Sequence, residues 1–401
     1  MRESVKRVLV FTSSFPSRAN PVSGPFIEAL AREEAKKFQI TVLAPRCGRS
    51  PSFEERDQMK IFYFWQGVGR IELAGQPGGI LPALKRNRFL LFMLPFFLLS
   101  AFFSLVRIVR QEKIDLIHVH WVLPLGWIAA FYCFLTGHKV KLLMTCHGSD
   151  LLKISGKFAG WIKRFSLAQA NAVTVVSEHL RHKVDELGGK KCFVLPMGVD
   201  TSLFSPEAGR ADFRNRFNLN RNVILFVGSL IELKGVRALV EAMPEVIRKE
   251  PDTSLLLVGG GELEGALRHF VCDTGLEKHV VFAGPQLHSD LPAFFAGSDI
   301  FILPSFSEGW PLVVMEALSA GIPVIVSKLP VFMDHPDREA LFIPVTAGDA
   351  GEIARVLIKT LRDLKNKDSA GHMRRRSYAL QELDISVIGR RYSDLIKSLL
   401  Q

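Results

Sequence analysis

Short, continuously apolar runs recur along the whole chain. Helical stretches separate them, and in the second half each is closed by Gly, Ser or Pro. In the first half the runs fall at residues 8–11, 40–43, 116–119, 141–145, 172–176 and 192–195. In the second half they fall at 223–227, 254–258, 280–283, 300–303 and 323–326. Strands that are apolar on both faces and alternate with helices belong to parallel sheets covered on both sides. The pattern predicts an α/β chain of two Rossmann-like domains. Residues 196–222, rich in turn formers and charge, predict the linker. The expected domains are residues 1–203 and 204–385, with a final helix at about 386–401 packing back on the first. In such sheets ligands bind beyond the carboxyl ends of the strands. Two sheets facing across a cleft would put the site in that cleft.

One segment breaks the alternation. Residues 89–106 hold no charge over 18 residues, with Lys85, Arg86 and Arg88 before them and Arg107, Arg110 and Lys113 after. The length only reaches the threshold for a spanning helix, and Pro95 and two serines interrupt it. Three readings compete: a span, a buried helix, and a helix in the membrane interface with basic flanks on lipid headgroups. Strands are expected on both sides, so a span would cut the first domain in two. The buried and interfacial readings are left open.

Composition sharpens this picture. With 401 residues, 48% of them hydrophobic and 23% charged, the chain can bury two cores and is neither disordered nor fibrous. The apolar run nearest the N-terminus is too short for a signal peptide and reads as the first strand. Cys47, Cys133, Cys146, Cys192 and Cys272 are scattered with no CxxC pair. They read as buried small hydrophobes in a reducing, cytoplasmic compartment, not as a disulfide framework or zinc site. The net charge of +11 is uneven: residues 1–200 carry 28 Lys and Arg against 15 Asp and Glu, the remainder 23 against 25. A basic half attracts phosphorylated substrates, acidic membranes or nucleic acid. No basic stripe is interleaved with aromatics, which sets nucleic acid aside. Arg374, Arg375 and Arg376 read as a solvated face.

The chemistry concentrates after the run at 300–303, in Pro304-Ser-Phe-Ser-Glu308-Gly-Trp-Pro-Leu-Val-Val-Met-Glu316-Ala. Pro311 suits the first turn of a helix. Glu308 then sits on the loop and Glu316 about a turn and a half into the helix. A loop carboxylate there can accept hydrogen bonds from sugar hydroxyls, and helix-start amides favour phosphate. Spacing alone leaves a plainer alternative: Glu308 favouring the helix dipole, Glu316 solvated. His118 and His120 flank a valine on one strand and point the same way. Without further metal ligands they read as structural. Gly259-Gly-Gly-Glu-Leu-Glu-Gly265 lacks the third glycine of a dinucleotide fingerprint, because Glu264 occupies it.

The carboxylate pair in its S-x-S-E-G-W-P-x-x-x-x-E setting resembles the donor motif of GT-B retaining glycosyltransferases, glycosyltransferase family 4 in particular. Four more segments resemble that family in order: Cys146-His-Gly-Ser-Asp150, Val173-Thr-Val-Val-Ser177, Leu195-Pro-Met-Gly198-Val-Asp200-Thr-Ser-Leu-Phe204 and Ile224-Leu-Phe-Val-Gly228-Ser-Leu-Ile-Glu-Leu-Lys234-Gly235. The resemblance runs from Ser14-Phe-Pro to the final helix. It implies an acceptor-binding first domain and a donor-binding second domain. It further implies that Gly24 lets backbone approach the donor diphosphate and that Lys234 contacts it as a point charge. Glu308 would bind donor-sugar hydroxyls, with Gly309, Trp310 and Pro311 lining that pocket. Glu316 would hold the ribose, Glu262 would lie near the nucleoside, and His147 near the anomeric carbon. His147, Lys234 and Glu308 are thus the implied catalytic set.

Two departures stand out. Ser229 occupies the position where the family usually carries Arg, which removes a bidentate phosphate donor. Lys328-Leu-Pro-Val-Phe-Met-Asp-His lacks the family's glycines. With no Asp-x-Asp, no metal and no separate cofactor are expected. The co-substrate would be a UDP- or GDP-linked sugar. The acceptor would be a glycan or lipid-linked saccharide of cell-surface polysaccharide, at the inner face of the cell membrane with peripheral contact through residues 85–110. The alternatives are another nucleotide-sugar enzyme of this fold, an epimerase or hydrolase, and a non-catalytic membrane-associated binding protein.

Overall fold

The computed structural model describes residues 5–401 apart from 22, 49, 68–71, 75–79, 81, 82, 85, 86, 88, 153, 155, 190, 209 and 366–368. The basic lead-in of Lys85, Arg86 and Arg88 lies outside the described residues. The chain forms two compact units, Met1–Gly198 with Ile385–Gln401, and Val199–Asp384. The first unit closes at Gly198 where residue 203 was expected, and the C-terminal helix Ile385–Leu400 belongs to it.

The strands of the first unit are β1 (Arg7–Phe11), β2 (Gln39–Pro45), β3 (Phe53–Arg56), β4 (Met59–Phe64), β5 (Leu116–His120), β6 (Lys141–Cys146), β7 (Ala172–Val175) and β8 (Cys192–Val194). They form one sheet in the order β3-β4-β2-β1-β5-β6-β7-β8, parallel except for the β3–β4 hairpin. Val8 of β1 sits between Ile40 of β2 and Leu116 of β5, and Val8, Leu9, Val10 and Phe11 are all buried, so β1 is covered on both faces. The helices that matter for function are α1 (Pro25–Ala35), α2 (Leu90–Gln111), α3 (Trp127–Leu135) and α4 (Lys157–Gln169). The C-terminal helix packs on α1, burying Ile388, Tyr392 and Ile396. Its Tyr392 hydroxyl donates to the Leu195 carbonyl at 3.2 Å.

Helix α2 contains the charge-free run. It is long and apolar enough to cross a membrane, yet Phe97, Ala101, Leu105 and Ile108 on one side are fully buried. Its neighbours in the first unit include β2, β4 and α3. The chain before and after it contributes β4 and β5 to the same sheet. One face is therefore a core face of a crossover helix, and the other stays exposed.

The second unit holds β9 (Asn222–Val227), β10 (Thr253–Val258), β11 (Val280–Gly284), β12 (Ile300–Leu303), β13 (Val324–Ser327) and β14 (Phe342–Val345). All are parallel, in the order β11-β10-β9-β12-β13-β14. Its helices include α5 (Val236–Lys249), α6 (Leu312–Ser319) and α7 (Ser369–Tyr378).

Two expectations from the sequence are corrected here. The 374–376 triplet is no solvated face. Arg375 is buried and its Nε donates to the Gly321 carbonyl at 2.9 Å. Arg376 donates to the Ser319 and Phe204 carbonyls at 2.7 and 3.1 Å, tying α7 to the end of α6, where unpaired C-terminal carbonyls need donors. Nor are all five cysteines buried: Cys47, Cys133 and Cys146 are, Cys192 is half-buried and Cys272 is exposed.

Candidate active site

In a parallel sheet the point where strand order reverses leaves two diverging loops and a crevice beyond the strand ends. In the first unit that reversal lies between β1 and β5. The β1 loop folds on itself: Thr12 Oγ1 donates to the Ser14 carbonyl at 3.0 Å, and the Ser14 and Ser23 hydroxyls are 2.8 Å apart. Gly24 then caps α1 at φ 66°. A Cβ there would lie 2.6 Å from the Ser14 carbonyl oxygen, so only glycine lets the loop close this tightly. The result is a helix start whose first amides have no side-chain cap.

Beside it, β5 ends in His120 and β6 leads into His147. His120 Nδ1 and His147 Nε2 are 3.0 Å apart with their rings stacked. Phe26 from the first turn of α1 and Trp121 also pack on His147, at centroid distances of 5.5 and 4.6 Å. Burial drives His147 down to about 3 and His120 well below its ordinary value. Both rings are therefore neutral near pH 7, and the single proton shared between them couples the tautomer of His147 to that of His120. Asp150 holds the turn. Its two carboxylate oxygens accept from Gly148 N at 3.1 Å and Val122 N at 2.7 Å, joining the ends of β6 and β5. Burial pushes the Asp150 carboxyl up, and these backbone donors oppose that shift. His118 is the structural histidine expected, bonded to Glu34 at 3.1 Å and Thr145 at 2.8 Å. His120 is also buried, and it bonds to the candidate residue His147.

In the second unit the order reverses between β9 and β12. Lys234 ends a short turn after β9, and Glu308 lies on the loop after β12. Lys234 Nζ meets Glu308 Oε1 at 2.6 Å. Two features force this approach. Phe306 N donates to the Leu233 carbonyl at 2.9 Å. Gly235, at φ 67°, lies against the Pro304 carbonyl so closely that any Cβ would overlap it. The turns after β9 and β10 close on each other in the same way. Leu230 N donates to Gly260 O at 3.0 Å, and Cβ atoms at Gly259 and Gly261 would overlap the Gly228 and Leu230 carbonyls. Those glycines serve backbone contact. Ser229 lies on this turn, and Glu262 beyond it is exposed.

Pro311 stands at the N-cap, one position before the helical turn expected for it, and α6 begins at Leu312. Glu316 is only 3% exposed, which corrects the solvated alternative. Its Oε1 accepts from His288 Nε2 at 2.9 Å, and its buried Oε2 has no partner among the described residues. The bond to Glu316 pushes His288 up. Gly309, Trp310 and Pro311 are half-buried. The Trp310 ring stacks on His335 at 5.4 Å, and its Nε1 has no partner among the described residues. His288 and His120 were not singled out as site residues, because each acquires its partner only through folding.

Two parallel-sheet units, each with its candidate residues at the point where strand order reverses, are the architecture of GT-B glycosyltransferases. Residues 24–203 match Glycosyltransferase Family 4 and residues 209–376 match Glycosyl transferases group 1. The chain belongs to glycosyltransferase family 4 and is a glycosyltransferase. Among curated relatives, the GDP-mannose-dependent alpha-(1-6)-phosphatidylinositol monomannoside mannosyltransferase of Mycolicibacterium smegmatis is 27% identical over 74% of this chain and 72% of its own. A putative teichuronic acid biosynthesis glycosyltransferase of Bacillus subtilis is 28% identical over 74% of each chain. Among solved structures, sucrose-phosphate synthase from Thermosynechococcus elongatus superposes with a TM-score of 0.75 at 20% identity, covering 98% of this chain and 99% of its own. HepE of Anabaena in complex with UDP-glucose superposes at 0.74 and 18% identity, over 98% of this chain and 99% of its own.

Proposed function

We propose that the protein transfers a sugar from a nucleoside-diphosphate sugar to a lipid-linked or glycan acceptor, with retention of anomeric configuration. The observation that carries this reading is the pairing of Lys234 with Glu308 at the reversal point of the same unit whose Glu316 keeps a buried oxygen without a partner among the described residues. The Lys234 cation and the Glu308 carboxylate offset each other's charge. With donor present, Lys234 turns to the diphosphate and Glu308 to the sugar hydroxyls. Glu316 Oε2 accepts from the ribose, which removes the cost of a buried acceptor left unpaired. The nucleoside then stacks toward the Glu262 turn, with the backbone at Ser229 near the phosphates and Gly309 to Pro311 along the sugar.

The bond broken joins the anomeric carbon to the β-phosphate oxygen, and the bond formed joins that carbon to an acceptor hydroxyl oxygen on the same face. The acceptor proton passes to the departing phosphate, whose charge Lys234 offsets. His147, neutral at working pH, acts as a hydrogen-bonding group toward the sugar and not as a cation. With Ser229 in place of the usual arginine, Lys234 carries more of the leaving-group charge. No Asp-x-Asp is present, so turnover should persist in EDTA.

The relatives that align over most of the chain support a surface-glycan acceptor. The GDP-mannose dependence of the Mycolicibacterium smegmatis relative puts that donor first to be tested. The second, UDP-sugars, follows from the UDP-glucose complex of the structural neighbour. The reaction would run at the cytoplasmic face of the membrane, with peripheral contact through residues 85–110.

The test is thermal shift of the purified protein against GDP-, UDP-, ADP- and dTDP-sugars. One nucleotide class should raise the melting temperature of wild type, by mass action, and leave Glu316→Ala unmoved. Product anomeric configuration is then read by NMR. A free sugar or an altered nucleotide-sugar without glycosylated acceptor would reject transfer in favour of hydrolysis or epimerisation.

A further inference from the structure

The exposed side of α2 has an order that its buried side does not require. Phe92, Phe96, Leu99 and Phe103 follow one another at helical spacing and face solvent, Phe92 at 72% exposure. The same stripe continues into Arg107 and Arg110, both exposed. A soluble surface helix would carry polar residues there.

The apolar surface does not stop at α2. Phe102 of α2 meets Phe131 of α3 at 6.0 Å between ring centroids, and Phe134 of α3 meets Phe165 of α4 at 5.9 Å. Along α4 the rings of Phe165, Trp161 and Phe158 stack at 6.0 and 6.3 Å, with Trp161 59% and Phe158 75% exposed. Three helices thus share one exposed aromatic band. Among the residues of α2, α3 and α4 there is no Asp or Glu, whereas Arg107, Arg110, Lys157 and Arg164 are exposed. An apolar band of this extent marks an interaction surface. Its charge is of one sign, and its exposed tryptophan and basic rim suit a lipid headgroup layer.

We propose that α2, α3 and α4 together form a docking surface for an anionic phospholipid bilayer, on which the first unit lies without spanning it. The inference rests on the peripheral contact proposed above for residues 85–110 and extends it to α3 and α4. Lys163, on the inner side of α4, donates to the Leu151 and Ile154 carbonyls at 2.7 and 2.6 Å. The helix bearing Phe158 and Trp161 is therefore bonded to the chain that leaves the His147–Asp150 turn. A lipid-anchored acceptor needs that arrangement, with its anchor in the bilayer and its saccharide at the turn.

The experiment is vesicle co-sedimentation of the full chain with phosphatidylcholine alone and with phosphatidylcholine plus phosphatidylglycerol. Two double variants are compared: Phe92→Ser with Phe96→Ser on α2, and Phe158→Ser with Trp161→Ser on α4. All four positions are exposed, so melting temperatures should stay near wild type and report folding independently. Wild type should sediment with the anionic vesicles, weakly with phosphatidylcholine alone, and less as salt rises. Each double variant should weaken binding by about tenfold or more. Unchanged binding by the α4 variant alongside loss by the α2 variant would overturn the three-helix surface and leave contact through residues 85–110 standing. Failure of wild type to bind any vesicle would overturn both. A lipid-free dimer in light scattering that the α4 variant dissociates would assign the surface to a second copy and overturn the bilayer.

Discussion

Lys234 and Glu308 are 74 residues apart in the chain and 2.6 Å apart in the fold. Nothing in either local sequence demands the pair. It exists because β9 and β12 are neighbours and Gly235 lets the two loops touch. His288 and Glu316 meet in the same way across 28 residues. The pairing of His288 with the Glu316 carboxylate favours the imidazolium, so the folded-state value of His288 is raised. A group raised on folding contributes stability that is complete below its unfolded value, about 6.5, and is lost as pH rises through the folded one. The His288 side chain is 43% exposed, so the pair is worth on the order of 1 kcal/mol or less. We expect His288→Gln to lower the melting temperature by a degree or two, roughly, at pH 6, and by less as pH rises through the raised value of His288, where wild type itself loses the ion pair. Calorimetry of both proteins across that range is the check. A gap that widens with rising pH would reject the assignment.

At the scale of elements, most of the strands that could be read from the sequence are buried on both faces; the edge strands β8 and β11 were read from short apolar runs although they are partly exposed. Runs such as 224–227 and 300–303 have no polar side to hide. The hairpin β3–β4 was not legible, because Glu54, Glu55, Arg56 and Lys60 break its apolar pattern at the sheet edge. Strand β14 escaped for a related reason: Pro344 interrupts a short edge strand, where a missing N–H is tolerated. In the site, the loop carrying Glu308 and the helix carrying Glu316 were readable as elements, but their roles came from family resemblance. The partners His288 and His120 were readable from neither. The glycines were partly legible, since only the fold shows which backbone each one admits. Gly235 is the sharpest case. An Ala there must adopt φ 67° and overlap the Pro304 carbonyl. Gly235→Ala should cost roughly 1–3 kcal/mol of stability. It should also separate Lys234 from Glu308 and weaken donor binding by more than the stability loss explains. Thermal denaturation and nucleotide titration of the variant give both numbers. Native donor affinity in a destabilised protein would show that the close approach serves the fold alone.

At the scale of the molecule, the two units are built differently from the chain. The second is one uninterrupted segment, closed where Val199 N donates to the Leu383 carbonyl at 2.9 Å and Thr201 bonds to Asp384. The first is assembled from both ends, and its last helix supplies Ile388, Tyr392 and Ile396 to the core. Removing three such side chains forfeits roughly 5–9 kcal/mol of apolar burial. That compares with about 5–15 kcal/mol for the whole stability of a domain. It also leaves α1 uncovered along the face that carries Glu34, whose bond to His118 is fully buried. A chain ending at Asp384 should therefore lose cooperative unfolding of the first unit. The second unit keeps every contact within residues 199–384 and should keep its own transition. Scanning calorimetry separates the two cases, and added donor nucleotide should shift only the transition that survives. If both transitions persist unchanged after truncation, the C-terminal helix is an ornament on the first unit and not part of its core. If both disappear, the units do not fold independently, and the second owes its stability to the first.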